Sequence, residues 1–119
     1  MAAALAQALS PTVLAESAGT DPGDVVQKQA VDVILELINV DISDHEPHDV
    51  RDLALQSYDV IVALDGRAGE ETSRLLGDGP PALRIEPVPD PFGGSQEDYR
   101  RCAGQIGEVI DRLMGEGVL

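Results

Sequence analysis

Asp90 is the residue of this chain whose surroundings most suggest chemistry. It lies in the segment VPDPFGGSQEDYRR, where Pro89 and Pro91 stiffen the backbone on both sides of its carboxyl group. Proline at position 91 favours extended backbone at Asp90, and parallel α/β folds bind ligands at the carboxyl ends of their strands. A carboxyl group held there could act as a general acid. Asp-Pro is also a common start of a turn, and the local sequence alone favours the turn.

The glycines after Asp90 offer a second candidate, an anion site at the start of a helix. Gly93-Gly94-Ser95 precedes a predicted helix and could present backbone amides to an anion. Glu97 and Asp98 fall in the first turn of that helix and would repel the anion. The segment is therefore interpreted as a helix start capped by Ser95 rather than as a binding loop.

Two histidines, His45 and His48, are of a type that binds metal ions. Pro47 lies between them, so no helix aligns the two side chains on one face. We expect surface or supporting polar residues there, and no metal site.

Cys102 is the one thiol of the chain and the obvious candidate nucleophile. It lies on the apolar stripe of the last predicted helix, between Tyr99 and Ile106, which favours a buried structural role. A phosphatase loop that began at this cysteine would need an arginine six positions later, where the chain has Glu108. The sequence therefore predicts an inert thiol.

Composition limits the class of protein. The 119 residues are predicted to form a single domain, 1–119. The 22 acidic residues against 8 basic ones give a net charge of −14, which excludes nucleic acid and anionic membranes as expected partners. One cysteine cannot form an internal disulfide or a multi-cysteine zinc site. No stretch is long and apolar enough to span a membrane, so a cytoplasmic protein is expected.

The elements that would hold these residues alternate between helix and strand. Helices are predicted over 2–9, 25–38, 49–56, 67–76 and 95–114, and strands over 12–17, 58–64 and 82–88. The segment DPGD, residues 21–24, is predicted to be a turn, and Gly77 a helix cap. The pattern predicts an α/β fold, a three-layer sandwich around a parallel sheet, although three strands are few for it.

Several segments together resemble the low-molecular-weight protein tyrosine phosphatase family, to which some bacterial arginine phosphatases and arsenate reductases are related. The opening MAAALAQAL is similar to the helix that follows the catalytic loop of that family, although Ala3 stands where the family usually has Glu. The other similar segments, in chain order, are ESAGT (16–20), INVDISDHEP (38–47), YDVIVALD (58–65) and PDPFGGSQEDYRR (89–101).

The resemblance implies that Asp90 is the general acid of phosphomonoester hydrolysis, with Ser17, Pro91 and Phe92 in support. In the family, a central first strand and a Cys-x5-Arg-Ser loop precede the Met-Ala helix, and the 119 residues contain neither. We therefore expect an N-terminally truncated chain that has no nucleophile and is inactive as given. The expected substrate of a completed site is a phosphorylated protein or a small phosphomonoester, with no cofactor and no metal ion.

Two other functions stay open at this point. The chain could be a non-catalytic pseudophosphatase that serves as an interaction module, for example as a homo-oligomer that fills the gap in the sheet. An arsenate reductase is less favoured, because that chemistry usually passes through several cysteines and this chain has only Cys102.

Overall fold

Four α-helices and one pair of parallel strands form the regular structure of the residues that the computed structural model describes, which are 1–20, 23, 26–78 and 81–119. In chain order they are α1 (Ala2–Leu9), α2 (Lys28–Ile38), β1 (Val60–Ala63), α3 (Gly66–Leu76), β2 (Ala82–Ile85) and α4 (Gln96–Gly115). Two short 3-10 turns, Val50–Asp52 and Leu55–Ser57, precede β1. None of the helices in these residues is long and apolar enough to cross a bilayer.

Contacts divide the chain into two compact units. The helical unit comprises Met1–Ser17, Gly23–Pro47 and Asp90–Leu119, and the strand unit comprises Ala18–Pro22 and His48–Pro89. The prediction of a single domain over 1–119 stays a prediction.

In the helical unit, α4 packs against both α1 and α2. Its apolar side chains recur at helical spacing and form a buried stripe, as the sequence predicted. The stripe comprises Tyr99, Cys102, Ala103, Ile106, Val109, Ile110 and Leu113. From the other two helices, Leu5 of α1 and Val33 and Ile34 of α2 are buried. Helix α2 ends at Asn39, which adopts the left-handed conformation (φ 56°) typical of a helix C-terminus.

The strand unit is built around β1, α3 and β2. The strands pair in parallel with Val60 opposite Ala82, and α3 packs against both. Asp65 caps α3 by accepting a hydrogen bond from the Ala68 amide at 2.7 Å, and Gly77 (φ 68°) ends the helix as predicted. Gly69 is buried against β2, since a β-carbon there would come within 2.6 Å of Ile85 Cδ1.

The predicted α/β class and the parallel pairing are confirmed, but the predicted strand over 12–17 is wrong. Its side chains alternate between exposed and half-buried as in a strand, yet no hydrogen-bonded ladder forms along it in the described residues. Leu14 is 93% exposed, so the segment lacks the buried apolar face that would stabilise a strand. Among the described residues nearby, Gly19 forms an isolated parallel bridge with Asp49.

The other differences concern the limits of elements. Helix α2 begins at Lys28 rather than at 25, with Gln27 as a cap residue that makes no side-chain hydrogen bond. The helix predicted over 49–56 is two 3-10 turns joined at Leu53 and Ala54. The predicted DPGD turn lies outside the described residues, except for Gly23.

Burial of the α4 stripe should dominate the stability of the helical unit. We expect Leu113→Ala to lower the free energy of unfolding by about 2–5 kcal/mol, because Leu113 is completely buried (0% exposed) and its truncation leaves a cavity. Leu14→Ala is the matched control and should change it by less than about 0.5 kcal/mol. Urea unfolding followed by circular dichroism measures both, and equal effects would contradict the assigned core.

Candidate active site

Asp90 begins a short ordered loop in the helical unit, which we call the acid loop (residues 90–95). Its side chain is exposed, and its Oδ1 accepts a hydrogen bond from the Phe92 amide at 3.0 Å. This contact closes an Asx turn, in which the aspartate side chain mimics a backbone carbonyl. The carboxyl group is therefore held in one orientation by its own backbone, while its other oxygen makes no hydrogen bond within the described residues.

The two glycines of the acid loop make a tight turn rather than an anion cradle. Gly94 donates from its amide to the Pro91 carbonyl at 2.8 Å, and Gly93 adopts a φ of 79°, which side chains disfavour. The Ser95 amide donates to Asp98 Oδ2 at 2.9 Å. Two amides that an anion would need are thus already used within the protein, and the helix-start interpretation of this segment holds.

Ser95 and Asp98 form a complete capping box at the start of α4. The Ser95 hydroxyl accepts from the Asp98 amide at 3.2 Å, while the Asp98 carboxylate accepts from the Ser95 amide. Hydrogen bonds from Ser95 and the nearby Arg101 guanidinium lower the pKa of the Asp98 carboxyl group. The sequence analysis found the cap at Ser95 but missed the return contact from Asp98, which the Ser-x-x-Asp spacing signals.

Phe92 presents an aromatic ring beside the acid. Its side chain is 71% exposed, although such rings are usually buried, and Pro91 before it is half-buried. The ring and the Asp90 carboxyl group are joined through the Phe92 amide hydrogen bond. An exposed acid and an exposed aromatic ring thus occupy one rigid turn.

The charge of the Asp90 carboxylate affects the pKa values of two side chains in α4. Burial raises the pKa of the Tyr99 phenol, and the Asp90 carboxylate raises it further. The same two causes, in the same order, raise the pKa of the Cys102 thiol. Both groups lie on the buried stripe, so the acid loop sits at the end of the core of the helical unit.

Cys102 does not have the environment of a nucleophile. Its side chain is 6% exposed, and its raised pKa keeps the thiol protonated near neutral pH. A reactive thiolate needs the opposite, an accessible sulfur whose pKa is lowered by nearby cations. The prediction of a buried structural thiol is confirmed.

Ser17 and His45 form a pair that the sequence analysis did not anticipate. Ser17 Oγ and His45 Nε2 lie 3.2 Å apart across 28 residues of sequence, at the surface of the helical unit. No local pattern signals such a contact. The structure records no hydrogen bond from Ser17 to the acid loop in the described residues, so its supporting role there stays a prediction.

His48 belongs to the strand unit, where its carbonyl accepts from the Gly19 amide at 2.9 Å. Within the described part of the chain, no group of three or more histidine, cysteine, aspartate or glutamate side chains is arranged to hold a metal ion.

The raised pKa values of Tyr99 and Cys102 give a prediction in alkaline solution. Both groups keep their protons more firmly in the folded protein than at their ordinary pKa values of 10.0 and 9.0. Their contribution to stability is therefore complete below about pH 9 and is lost as the pH rises further, because the unfolded chain ionises first. The urea concentration at the midpoint of unfolding of the parent protein should therefore fall as the pH is raised from about 8 to about 11.

Two variants isolate that effect. Tyr99→Phe and Cys102→Ala each remove one of the two titrating groups, so each should flatten the alkaline decline. A decline of the same steepness in both variants would show that other groups cause it.

Known proteins resemble this chain in sequence and in fold. The family model described as "Low molecular weight phosphotyrosine protein phosphatase" matches residues 1–118, and none of the curated proteins matches significantly. Among solved structures, the low molecular weight protein tyrosine phosphatase from T. tengcongensis superposes with a TM-score of 0.80 at 24% identity, covering 97% of this chain and 88% of the other.

Two further structures share the fold. Wzb from Vibrio vulnificus, solved in complex with benzylphosphonate, has a TM-score of 0.78 at 18% identity, with 97% and 87% of the two chains covered. An arsenate reductase in the reduced state has a TM-score of 0.71 at 22% identity, with 97% and 86% covered. The family match extends over nearly all of the chain, which therefore belongs to the low molecular weight phosphotyrosine protein phosphatase family.

Proposed function

We propose that this chain supplies the general acid of phosphomonoester hydrolysis and that Asp90 is that acid. One observation carries the proposal. The Asp90 carboxyl group is exposed and is held in a single orientation by the Phe92 amide, beside an exposed aromatic ring. Family membership supplies the type of reaction, and the acid loop supplies the group that it requires.

The role of the acid follows from the leaving group. A tyrosine phenolate has a pKa near 10, so it departs readily from phosphorus only if its oxygen is protonated as the bond breaks. Asp90 Oδ1 is occupied by the Phe92 amide, so the proton is carried on Oδ2. As a nucleophile bonds to phosphorus and the P–O bond to the leaving group breaks, this proton passes to the ester oxygen, and the carboxylate that remains keeps its hydrogen bond to Phe92.

The proposed substrate is a phosphorylated protein or a small phosphomonoester with an aromatic leaving group. Phe92 lies two residues after Asp90 in the acid loop and its ring is exposed, so a phenyl group could pack against it. The related Wzb binds benzylphosphonate, in which a phosphonate is attached to a benzyl group. That ligand supports an aromatic substrate for this chain as well.

We further propose that the 119 residues are inactive by themselves. General acid catalysis contributes about 10²–10⁴-fold, or roughly 3–5 kcal/mol, whereas phosphate monoester hydrolysis is accelerated by up to ~10²¹-fold, about 28 kcal/mol. A nucleophile and a positively charged cradle must supply the rest. The one thiol, Cys102, is buried and protonated, and a net charge of −14 opposes phosphate binding.

Turnover measurements test both parts of the proposal. The 119-residue chain should release no 4-nitrophenol from 4-nitrophenyl phosphate above the level of its Asp90→Asn variant. A chain extended at its N-terminus by a grafted strand and Cys-x5-Arg-Ser loop should be active. In the extended chain, Asp90→Asn should lower kcat by about 10²–10⁴-fold on phenyl phosphate. The loss should be much smaller on 2,4-dinitrophenyl phosphate, whose leaving group needs no proton.

Glu97→Gln is the matched control, because Glu97 is an exposed acid on the first turn of α4 that pairs with Arg100. It should retain the activity of the extended chain. Turnover by the 119 residues alone would overturn the proposed inactivity. An extended chain that is unaffected by Asp90→Asn on phenyl phosphate would overturn the assignment of the acid.

A second candidate is a non-catalytic interaction module that acts as a homo-oligomer. In the described residues, β1 and β2 each pair with one strand only, and an unpaired strand edge can bind a strand of another chain. Light scattering should then give a mass above the 12.6 kDa of one chain. A folded monomer would rule this candidate out. In either function we propose a cytoplasmic location and no nucleic acid or membrane partner.

Arsenate reduction is the least favoured candidate. Arsenate reductases share the fold at 22% identity, but Cys102 is the only cysteine here and is buried. Arsenate reduction coupled to a dithiol reductant should be undetectable, and activity that Cys102→Ala abolishes would revive this candidate.

A further inference from the structure

We propose that Asp98 is the positioning residue of the acid loop, which holds Asp90 in place from the first turn of α4. This inference rests on the proposed function for its meaning, because the position of Asp90 matters only if Asp90 is the acid. The structural claim itself can be tested without any turnover.

The first step is the close packing of the turn against Asp98. Gly94 lies directly against the Asp98 side chain, so that a β-carbon at position 94 would come within 2.6 Å of Asp98 Oδ2 and 2.8 Å of the Pro91 carbonyl oxygen. The turn is thus enclosed between its own backbone and the Asp98 carboxylate. Glycine is required here for space, whereas at Gly93 it is required for the positive φ.

The second step is the hydrogen bond that fixes the exit of the loop. Asp98 Oδ2 accepts from the Ser95 amide at 2.9 Å, and Oδ1 lies 3.4 Å from Arg101 Nη1. These contacts and the lowered pKa of its carboxyl group keep Asp98 ionised at neutral pH. A charged acceptor forms a stronger hydrogen bond to a backbone amide than a neutral one.

The third step connects the Ser95–Asp98 hydrogen bond, which we call the anchor, to Asp90. The Gly94 amide donates to the Pro91 carbonyl, which places the Phe92 amide between the two ends of the turn. That Phe92 amide is the donor that orients the Asp90 carboxyl group. Asp98 therefore determines the orientation of Asp90 through Ser95 and the turn, without touching it.

The position of the anchor is fixed because Asp98 belongs to α4 and the next residue of that helix, Tyr99, is buried in the core. Glu97 belongs to the same helix turn, but it forms its ion pair with Arg100. Of the two acids in the first turn, only Asp98 is bonded to the acid loop.

The alternative is that Asp98 merely caps α4, and the Ser95→Ala variant separates the two roles. Ser95→Ala removes the hydroxyl that accepts from the Asp98 amide, which weakens the cap. It keeps the backbone amide that donates to Asp98 Oδ2, so the hydrogen bond that anchors the loop is retained. Asp98→Ala removes both contacts.

The experiment is a pH titration of the 119-residue chain by ¹⁵N–¹H NMR, with the Phe92 amide as the sensor of Asp90. In the parent, the signal of this amide should shift as the pH is lowered, and Asp90→Asn should abolish the shift. We expect Asp98→Ala and Gly94→Ala to remove at least half of the titration shift. Ser95→Ala and Glu97→Ala should retain it.

Asp98→Asn keeps an oxygen that can accept from Ser95 and should restore most of the shift, which distinguishes lost geometry from lost charge. The Tyr99 pKa, read from the ultraviolet absorbance of the phenolate, should fall in Asp98→Ala towards its value in Asp90→Asn and stay close to the parent value in Ser95→Ala.

A Phe92 shift that is unchanged in Asp98→Ala, or that Ser95→Ala reduces equally, would overturn the positioning role. If Asp98→Ala does not fold, the result for Gly94→Ala decides by the same criterion. A chain that passes this test yet shows no Asp90-dependent turnover in any form would refute the proposed function and leave the positioning of Asp90 intact.

Discussion

The buried apolar stripe of α4 is the interaction on which the helical unit depends. Each fully buried side chain of this kind contributes about 1.5–3 kcal/mol, whereas exposed ion pairs such as Arg100–Glu36 contribute at most about 1 kcal/mol. The stripe fixes the helix axis and its rotation. Once these are fixed, Asp98 must face the turn at Gly94, and the Cys102 thiol must face the core. The helix that stabilises the unit therefore also places the acid loop and keeps the thiol inert.

The charge of the chain bears on its proposed inactivity. With 22 acidic and 8 basic residues, the chain repels the dianion that a phosphatase must bind. Most of the basic side chains are already paired, as Arg51 is with Asp49, whose carboxyl pKa is lowered to about 2 by that contact. A paired guanidinium offers little net charge to a ligand. A local reversal of sign is therefore the second requirement of a working site, and the acid loop does not provide it.

The sequence alone predicts the elements whose limits depend on interactions between residues that are near each other in the chain. The limits of α1, α3 and α4 follow from caps and from apolar spacing, and were predicted almost to the residue. The prediction of a strand over 12–17 failed because alternation predicts an extended chain, whereas a ladder also needs a partner strand elsewhere in the sequence, which alternation cannot predict. The contact between Ser17 and His45 was missed for the same reason. The Ser-x-x-Asp spacing in the sequence signals the capping box. The close packing of Gly94 against Asp98 can be seen only in the three-dimensional structure.

The two interpretations of Asp90 that the sequence set against each other are compatible. Local sequence favoured a turn residue, and the family resemblance implied a general acid. The hydrogen bond from the Phe92 amide that makes Asp90 a turn residue also occupies Oδ1 and directs the rest of the carboxyl group outward. A general acid must hold its proton where the leaving oxygen will be, which requires an orientation that a freely rotating side chain lacks. The turn would therefore give the Asp90 carboxyl group the fixed orientation that the proposed acid needs.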